Sequence, residues 1–139
     1  MDRHAMDDLI DRHWEAESSG DVDAAMATLH PDVYHDVVGS PVHPLHGRQA
    51  VRAFYADLHH DVQGESREAV VPRRYGPNFC VEDVLHRAVV TGSMLGLPGH
   101  GRTVTFRILH VWEFTDGLIS RENVWLDANA IHHQLSSLS

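Results

Sequence analysis

The chain has 139 residues, of which 42% are hydrophobic and 22% charged, a composition typical of one globular domain with one core. Acidic residues outnumber basic residues 20 to 11, so the formal net charge is −9. A surface of this sign disfavours nucleic acids and anionic membranes as partners. All the basic residues are arginine, which excludes a Schiff-base lysine and the lysine of a phosphate-binding P-loop.

The cysteine and histidine content bears on whether the chain forms a disulfide or binds a metal. Cys80 is the single cysteine, so no intrachain disulfide can form. The acidic N-terminal sequence has no apolar leader, and we expect a cytoplasmic protein. The 13 histidines include no pair spaced as in HxxxH, the usual arrangement of metal ligands on a helix. We therefore expect neither a metal nor another cofactor.

The apolar spacing predicts helices in the first half of the chain and strands in most of the second. The predicted helices cover about 5–18, 22–30, 47–60 and 128–138, with Asp21 and Asp127 as N-caps. The predicted strands cover Val33–Val38 and about 66–75, 79–93, 103–114 and 118–127. This order predicts a single α+β domain over residues 1–139, with three helices on the concave face of a curved antiparallel sheet. Such a cone-shaped α+β barrel, of the cystatin-like type, encloses a cavity.

Two strands near the C-terminus predict a polar pair in this cavity. His110 interrupts the apolar face of its strand, and a three-residue turn at 115–117 with a bulge would place Glu122 directly opposite it. A plain two-residue turn would instead bring Arg121 and Asn123 inward, because a shift of one residue turns every side chain over. A buried imidazole beside a carboxylate suits general acid–base catalysis, and it equally suits a structural hydrogen bond.

Asp36 is the second candidate. It lies on the strand face of Tyr34, where the chain leaves the sheet. A carboxylate there could act as a base at the cavity wall, or it could initiate a turn.

Longer stretches of the sequence resemble one superfamily over about residues 5–138. LHPDVYHD and HGRQAVRAFY are similar to the nuclear-transport-factor-2-like superfamily, and TGSMLGLPGHGR with HVWEFTDGLISRENVWLD resembles its SnoaL-like polyketide cyclase branch. The resemblance implies the cone-shaped barrel, a small apolar substrate and a homodimer formed through the outer face of the sheet.

The same resemblance implies roles for individual residues. The likeness to ketosteroid isomerases places Asp36 on their proton-shuttling carboxylate and His110 on their oxyanion-stabilising acid. It also places Phe54 and Tyr55 on their aromatic pair and His13 on an oxyanion-hole tyrosine. In the SnoaL-like cyclases the catalytic histidine matches His110, but their acid–base aspartate falls on Val124.

These patterns give one leading hypothesis and two alternatives. In the first, a cofactor-free cyclase or isomerase enolises a small apolar carbonyl compound, with Asp36 as base and His110, positioned by Glu122, as proton donor. The expected substrate-binding residues are His13, Trp14, Tyr34, Phe54, Tyr55, Trp112 and Val124, although the aromatic residues equally suit a plain core. The alternatives are a non-catalytic binding or dimerisation module, and an epoxide hydrolase or dehydratase of the same superfamily. The hydrolase would need Asp36, Arg107 and Asp127 as a water-activating set.

Overall fold

The computed structural model describes residues 1–136, and both N-terminal helices follow from their caps and apolar faces. Helix α1 (Arg3–Ser19) begins where the Asp2 carboxylate accepts a hydrogen bond from the Ala5 N–H at 2.8 Å. It ends at Gly20, whose left-handed φ of 74° suits a residue without a Cβ. Asp21 caps α2 (Val22–Ala27), as predicted.

Helix α2 is shorter than the predicted 22–30, and the next strand begins earlier. The Thr28 hydroxyl donates to the Ala25 carbonyl at 2.6 Å, and the Thr28 carbonyl accepts from the Ile119 N–H. Both contacts end the helix and direct the chain into the sheet. The elements that follow are β1 (Leu29–Val37), β2 (Leu45–His46), α3 (Arg48–Asp61), β3 (Val62–Ala69), β4 (Arg74–Gly76), β5 (Phe79–Val90), β6 (Ser93–Met94), β7 (Leu97–Pro98), β8 (Arg102–Thr115), β9 (Leu118–Leu126) and α4 (Ala128–Ser136).

The main sheet has the order β2-β1-β9-β8-β5-β3, and β4 also pairs with β5. The predicted curved sheet and the α+β class are confirmed, with two differences. The pair of β1 and β9 is parallel, an arrangement that is possible because no hairpin joins these strands. Within residues 1–136, four helices cover the sheet instead of the three expected there. Helix α4 closes the cone by packing Ile131 and Leu135 against the inner face of the sheet.

The hairpin between β8 and β9 differs from prediction in a way that preserves the inward position of Glu122. Asp116 and Gly117 form a two-residue turn with φ values of 54° and 74°. A bulge at Ser120 then adds one residue to β9. The register is therefore displaced by two residues, so that Val124 lies opposite His110 and Glu122 lies opposite Trp112. An even displacement keeps each side chain on its predicted face.

No helix within residues 1–136 is both long enough and apolar enough to cross a membrane.

Candidate active site

A cavity of about 760 Å³ lies between the concave face of the sheet and the helices. Its volume is within the range of small-molecule sites, about 300–1,000 Å³. The walls are mainly apolar and aromatic, and they include Trp14, Phe54, Tyr55, Phe106, Ile108 and Val124. The outer part is bordered by residues 38–41 and 93–96, and by α4. The cavity is therefore a space for an apolar molecule with few polar contacts.

Glu122 is the buried carboxylate of this cavity. Only 2% of the residue is exposed. Oε2 accepts a hydrogen bond from the Tyr55 hydroxyl at 2.5 Å, and Oε1 lies 3.2 Å from Nε2 of His110. The Nε2 atoms of His35 and His13 lie 3.6 and 3.8 Å from Oε2. One carboxylate thus lies close to three imidazole rings and a phenol.

The surroundings of Glu122 favour its ionised form. Burial alone raises the pKa of a carboxyl group, but His35, His110 and His13 oppose this effect and hold the pKa of Glu122 well below its usual range. The pKa of Tyr55 is displaced in the opposite direction, well above its usual range, by burial and by the Glu122 charge. The phenol therefore keeps its proton and donates a hydrogen bond to the carboxylate.

The hydrogen bond to Glu122 fixes the tautomer of His110. An ionised carboxylate only accepts hydrogen bonds, so Nε2 of His110 carries the hydrogen and Nδ1 carries a lone pair. Nδ1 is buried and has no hydrogen-bond partner in the described chain. The imidazole is stacked on Trp112, with ring centroids 4.6 Å apart and an angle of 6° between the planes. The cavity wall therefore carries a stacked imidazole whose Nδ1 has no hydrogen-bond partner in the described chain.

His35 is a residue of this site that the sequence analysis missed. Its Nδ1 lies 3.2 Å from Nε2 of His43, and Nδ1 of His43 lies 2.9 Å from the Ser40 hydroxyl. Burial lowers the pKa of both histidines, so both are neutral near pH 7. Donation from Ser40 to His43 and from His43 to His35 satisfies both hydrogen bonds and leaves the Nε2 hydrogen of His35 facing Glu122 at 3.6 Å. The chain of polar groups connects the buried carboxylate with the loop after β1.

The alternation of β1 could have revealed His35. Val33 and His35 are buried, whereas Tyr34 is exposed and Asp36 is only partly buried. Asp36 faces away from the cavity, with Oδ2 3.7 Å from Nη2 of Arg121. The expected position of Asp36 at the cavity wall is therefore wrong, because the predicted strand was assigned the opposite inward face.

Tyr34 also lies outside the cavity, contrary to its expected role in substrate binding. Its ring stacks on His46 with centroids 4.2 Å apart, and the Arg121 guanidinium lies 5.3 Å from the ring centroid. These contacts place Tyr34 on the outer surface with Asp36.

His13 and Trp112 are buried behind the cavity wall and do not line it. His13 Nδ1 donates to the Thr28 hydroxyl at 2.8 Å, because the Thr28 hydrogen is already used toward Ala25. Its Nε2 lies 3.0 Å from the Tyr55 oxygen. Burial lowers the pKa of His13 to about 4. The expected substrate contacts of both residues are thus wrong: His13 supports Tyr55, and Trp112 supports His110.

The remaining expected binding residues, Trp14, Phe54, Tyr55 and Val124, do line the cavity. Trp14 is held by a hydrogen bond from its Nε1 to the buried carboxylate of Glu82 at 3.0 Å. Arg73 neutralises Glu82 through Nε at 2.8 Å. The contacts of this second buried carboxylate, Glu82, are therefore structural.

The residue set considered for epoxide hydrolysis does not assemble. Arg107 is exposed and forms an ion pair with Asp83. Asp127 caps α4 by accepting a hydrogen bond from the Ala130 N–H at 3.1 Å. With Asp36 directed outward, none of the three lines the cavity. Across residues 1–136, no group of three or more His, Cys, Asp or Glu side chains is arranged to hold a metal ion.

Comparison with solved structures supports this fold. The chain superposes on TsrD from Streptomyces laurentii with a TM-score of 0.83 and 22% identity, covering 99% of both chains. A Xanthomonas campestris pv. campestris protein whose name proposes a polyketide cyclase gives 0.80 and 23%, over 99% of this chain and 98% of that one. A LEH-like epoxide hydrolase from M. tuberculosis gives 0.72 and 16%, over 92% and 86%.

Comparison of the sequence with protein families and curated proteins gives two further results. No curated protein matches the chain. The family model described as the SnoaL-like domain matches residues 10–122. This range runs from the second half of α1 to the middle of β9 and contains the buried carboxylate Glu122 with His35 and His110. The chain therefore belongs to the SnoaL-like family, within the nuclear-transport-factor-2-like fold.

Proposed function

We propose that this protein is a cofactor-free acid–base enzyme that moves a proton α to the carbonyl group of a small, mostly apolar substrate. The observation that carries the proposal is the pair of His110 and Glu122. The carboxylate holds the hydrogen of Nε2, and the free Nδ1 belongs to an imidazole in the wall of a cavity of about 760 Å³. This is the arrangement of a general base with its orienting group.

In this mechanism the His110 ring shifts so that Nδ1, which is buried in the structure, meets the substrate. Nδ1 then removes the α-proton and the substrate becomes an enolate. The imidazolium that forms is stabilised by the Glu122 carboxylate at Nε2. The same nitrogen can return the proton to another position, which isomerises the substrate, or the enolate can close a ring. The path through His35, His43 and Ser40 allows a proton to reach the loop after β1. Asp36 takes no part.

Hydrogen exchange at carbon tests this mechanism without knowledge of the natural substrate. The probe is 2-tetralone in D₂O, and the measurement is deuterium incorporation at its α-carbons by NMR. We expect His110→Gln and Glu122→Gln to lower the protein-dependent rate by about 100-fold or more, the effect typical of general-base catalysis. Asp36→Asn discriminates between the two possible bases and should retain the rate.

Two results would overturn the proposal. Loss of exchange in Asp36→Asn with retention in His110→Gln would return the base to Asp36. Binding of 2-tetralone without any protein-dependent exchange would favour a non-catalytic binding module, which the apolar cavity walls and Val124 opposite His110 also suit.

We also propose a homodimer formed through the outer face of the sheet. Leu109 and Trp125 are paired across β8 and β9 on this face, with 37% and 40% of their surfaces exposed. Leu85 on β5 lies on the same face, beyond the ion pair of Arg107 and Asp83. Exposed large apolar residues grouped on one face of a sheet suit a protein interface.

A further inference from the structure

A second, smaller cavity of about 90 Å³ adjoins the large one on the side of α1 and α2. The residues that line both cavities are Trp14, Glu17, Tyr55, Leu58, Val62 and His86. We call the space between them the junction. It lies beside the site assigned above, because His13 Nε2 is 3.6 Å from Glu17 and 3.8 Å from Glu122.

Two polar groups at the junction, those of Glu17 and His86, have no function in the proposed mechanism. The other two polar groups there already have partners, because Trp14 Nε1 donates to Glu82 and the Tyr55 hydroxyl donates to Glu122. The Glu17 side chain is 16% exposed, and its carboxyl group lies 3.6 Å from Nε2 of His13, beyond a good hydrogen bond. Nδ1 of His86 is buried and has no partner in the described part of the chain. Buried polar groups without partners are rare unless a water or a ligand satisfies them.

Both groups are uncharged near neutral pH. Burial and the nearby Glu122 charge raise the pKa of Glu17 well above its usual range. Burial, with smaller effects of His110 and Arg67, lowers the pKa of His86 to about 4. A protonated carboxyl group donates one hydrogen bond and a neutral imidazole accepts one. The junction therefore suits a neutral group that both donates and accepts, and it disfavours a formal charge on the ligand.

From this arrangement we propose that Glu17 and His86 form a second subsite, which binds a neutral hydroxyl or carbonyl oxygen of the substrate. The proposal rests on the proposed function, since it assigns the substrate a second oxygen group apart from the carbonyl that reacts. Trp14 lies between the two sites, with its ring centroid 5.5 Å from that of His86 and 5.2 Å from that of His110. A fused two-ring molecule that lies along Trp14 extends from the side of His110 toward the side of His86.

The test compares 2-tetralone with its 5-, 6-, 7- and 8-hydroxy derivatives, by calorimetric affinity and by deuterium exchange. We expect at least one hydroxy isomer to bind about fivefold more tightly than 2-tetralone, the gain of one buried hydrogen bond. The corresponding methoxy isomer should show no gain. Glu17→Leu and His86→Phe should each reduce the gain, and the double variant should abolish it. Each gain is measured against the affinity of the same variant for 2-tetralone.

Conservative variants keep the test informative if the apolar ones fold poorly. Glu17→Gln supplies an uncharged donor and acceptor, so it should retain most of the gain, and His86→Gln should retain part of it. His100→Gln, at an exposed position outside both cavities, is the matched control and should retain all of it.

The outcomes separate this inference from the proposed function. If 2-tetralone binds and exchanges but no hydroxyl group improves affinity, the junction is a water-filled space and only this inference fails. The same conclusion follows if the gain persists in the double variant. If no exchange occurs, the calorimetric gain still decides whether the subsite exists.

Discussion

At the scale of single residues, the site depends on one carboxylate that orients several imidazole rings. Glu122 has the nitrogens of His110, His35 and His13 within 3.2 to 3.8 Å. Because the charge lies on the carboxylate, the Nε2 atoms of His110 and His35 are favoured as donors and their Nδ1 atoms as acceptors. His13 instead donates from Nδ1 to Thr28. The protonation state of Glu122 thus determines which histidine nitrogens are basic.

The buried histidines predict that acid destabilises the protein. The pKa of His13 falls from an ordinary 6.5 to about 4 on folding. Between these pH values the unfolded chain binds a proton at residue 13 that the folded chain rejects, so the free energy of unfolding decreases as pH falls from about 6.5 to 4. His86 has the same sign, and Glu122 adds to the loss below its ordinary 4.5. Glu17, whose pKa is raised, opposes them.

Urea unfolding measured from pH 7 to 5 tests this expectation. His13→Gln should reduce the pH slope of the unfolding free energy by about one proton, or about 1.4 kcal/mol per pH unit. His100→Gln at the surface is the matched substitution. An unchanged slope in His13→Gln would mean that His13 is not neutral in the folded protein.

How far the sequence predicts the site is decided by individual side chains on the strands. His110 and Glu122 are predictable, because each interrupts a clearly apolar strand face. From the sequence, Asp36 is predicted to face inward and His35 is overlooked, because β1 has few apolar residues to mark its inner face. Glu17 and His86 give no signal, since only the packing of α1 against the sheet brings them to one cavity.

At the scale of elements, the bulge in β9 determines which side chains enter the cavity. Ser120 is the additional residue between the pairs formed by Glu113 with Arg121 and by Phe114 with Ile119. If Ser120 instead paired with Glu113 in a regular strand, Arg121 and Asn123 would lie on the inner face. The sequence predicts that a bulge is needed, from the apolar alternation, but not where the backbone accommodates it.

Deletion of Asn123 should therefore be severe, whereas deletion of Ser120 should be tolerated. Without Asn123, Glu122 and Val124 become neighbours and cannot both face the cavity, and we expect a loss of about 4 kcal/mol or more in the free energy of unfolding. Without Ser120, Arg121 follows Ile119 and still pairs with Glu113, so Glu122 stays on the inner face. Chemical denaturation of the two deletion variants measures the difference, and similar stabilities would argue against a fixed register.

At the scale of the whole molecule, the exposed apolar face of the sheet predicts a change of mass on substitution. The wild-type protein should elute with twice the chain mass of 15.6 kDa in size-exclusion chromatography with light scattering. Trp125→Glu introduces a charge into the patch and should yield a monomer. Val42→Glu, at an apolar residue that is 67% exposed in the loop after β1, is the control and should remain dimeric. A wild-type monomer at high concentration would contradict the proposed interface.

The parallel contact of β1 with β9 also has a consequence for the order of folding. Val33–Val37 and Arg121–Val124 are separated by most of the sequence, yet their pairing brings His35 beside Glu122. Contacts of such high contact order form late, because a long loop must close before they stabilise the chain. The buried carboxylate therefore meets its histidines only after β9 has been synthesised and has paired with β1. A fragment that ends before β9 lacks Glu122, so under the proposed function the appearance of proton exchange would be a kinetic marker of this late pairing.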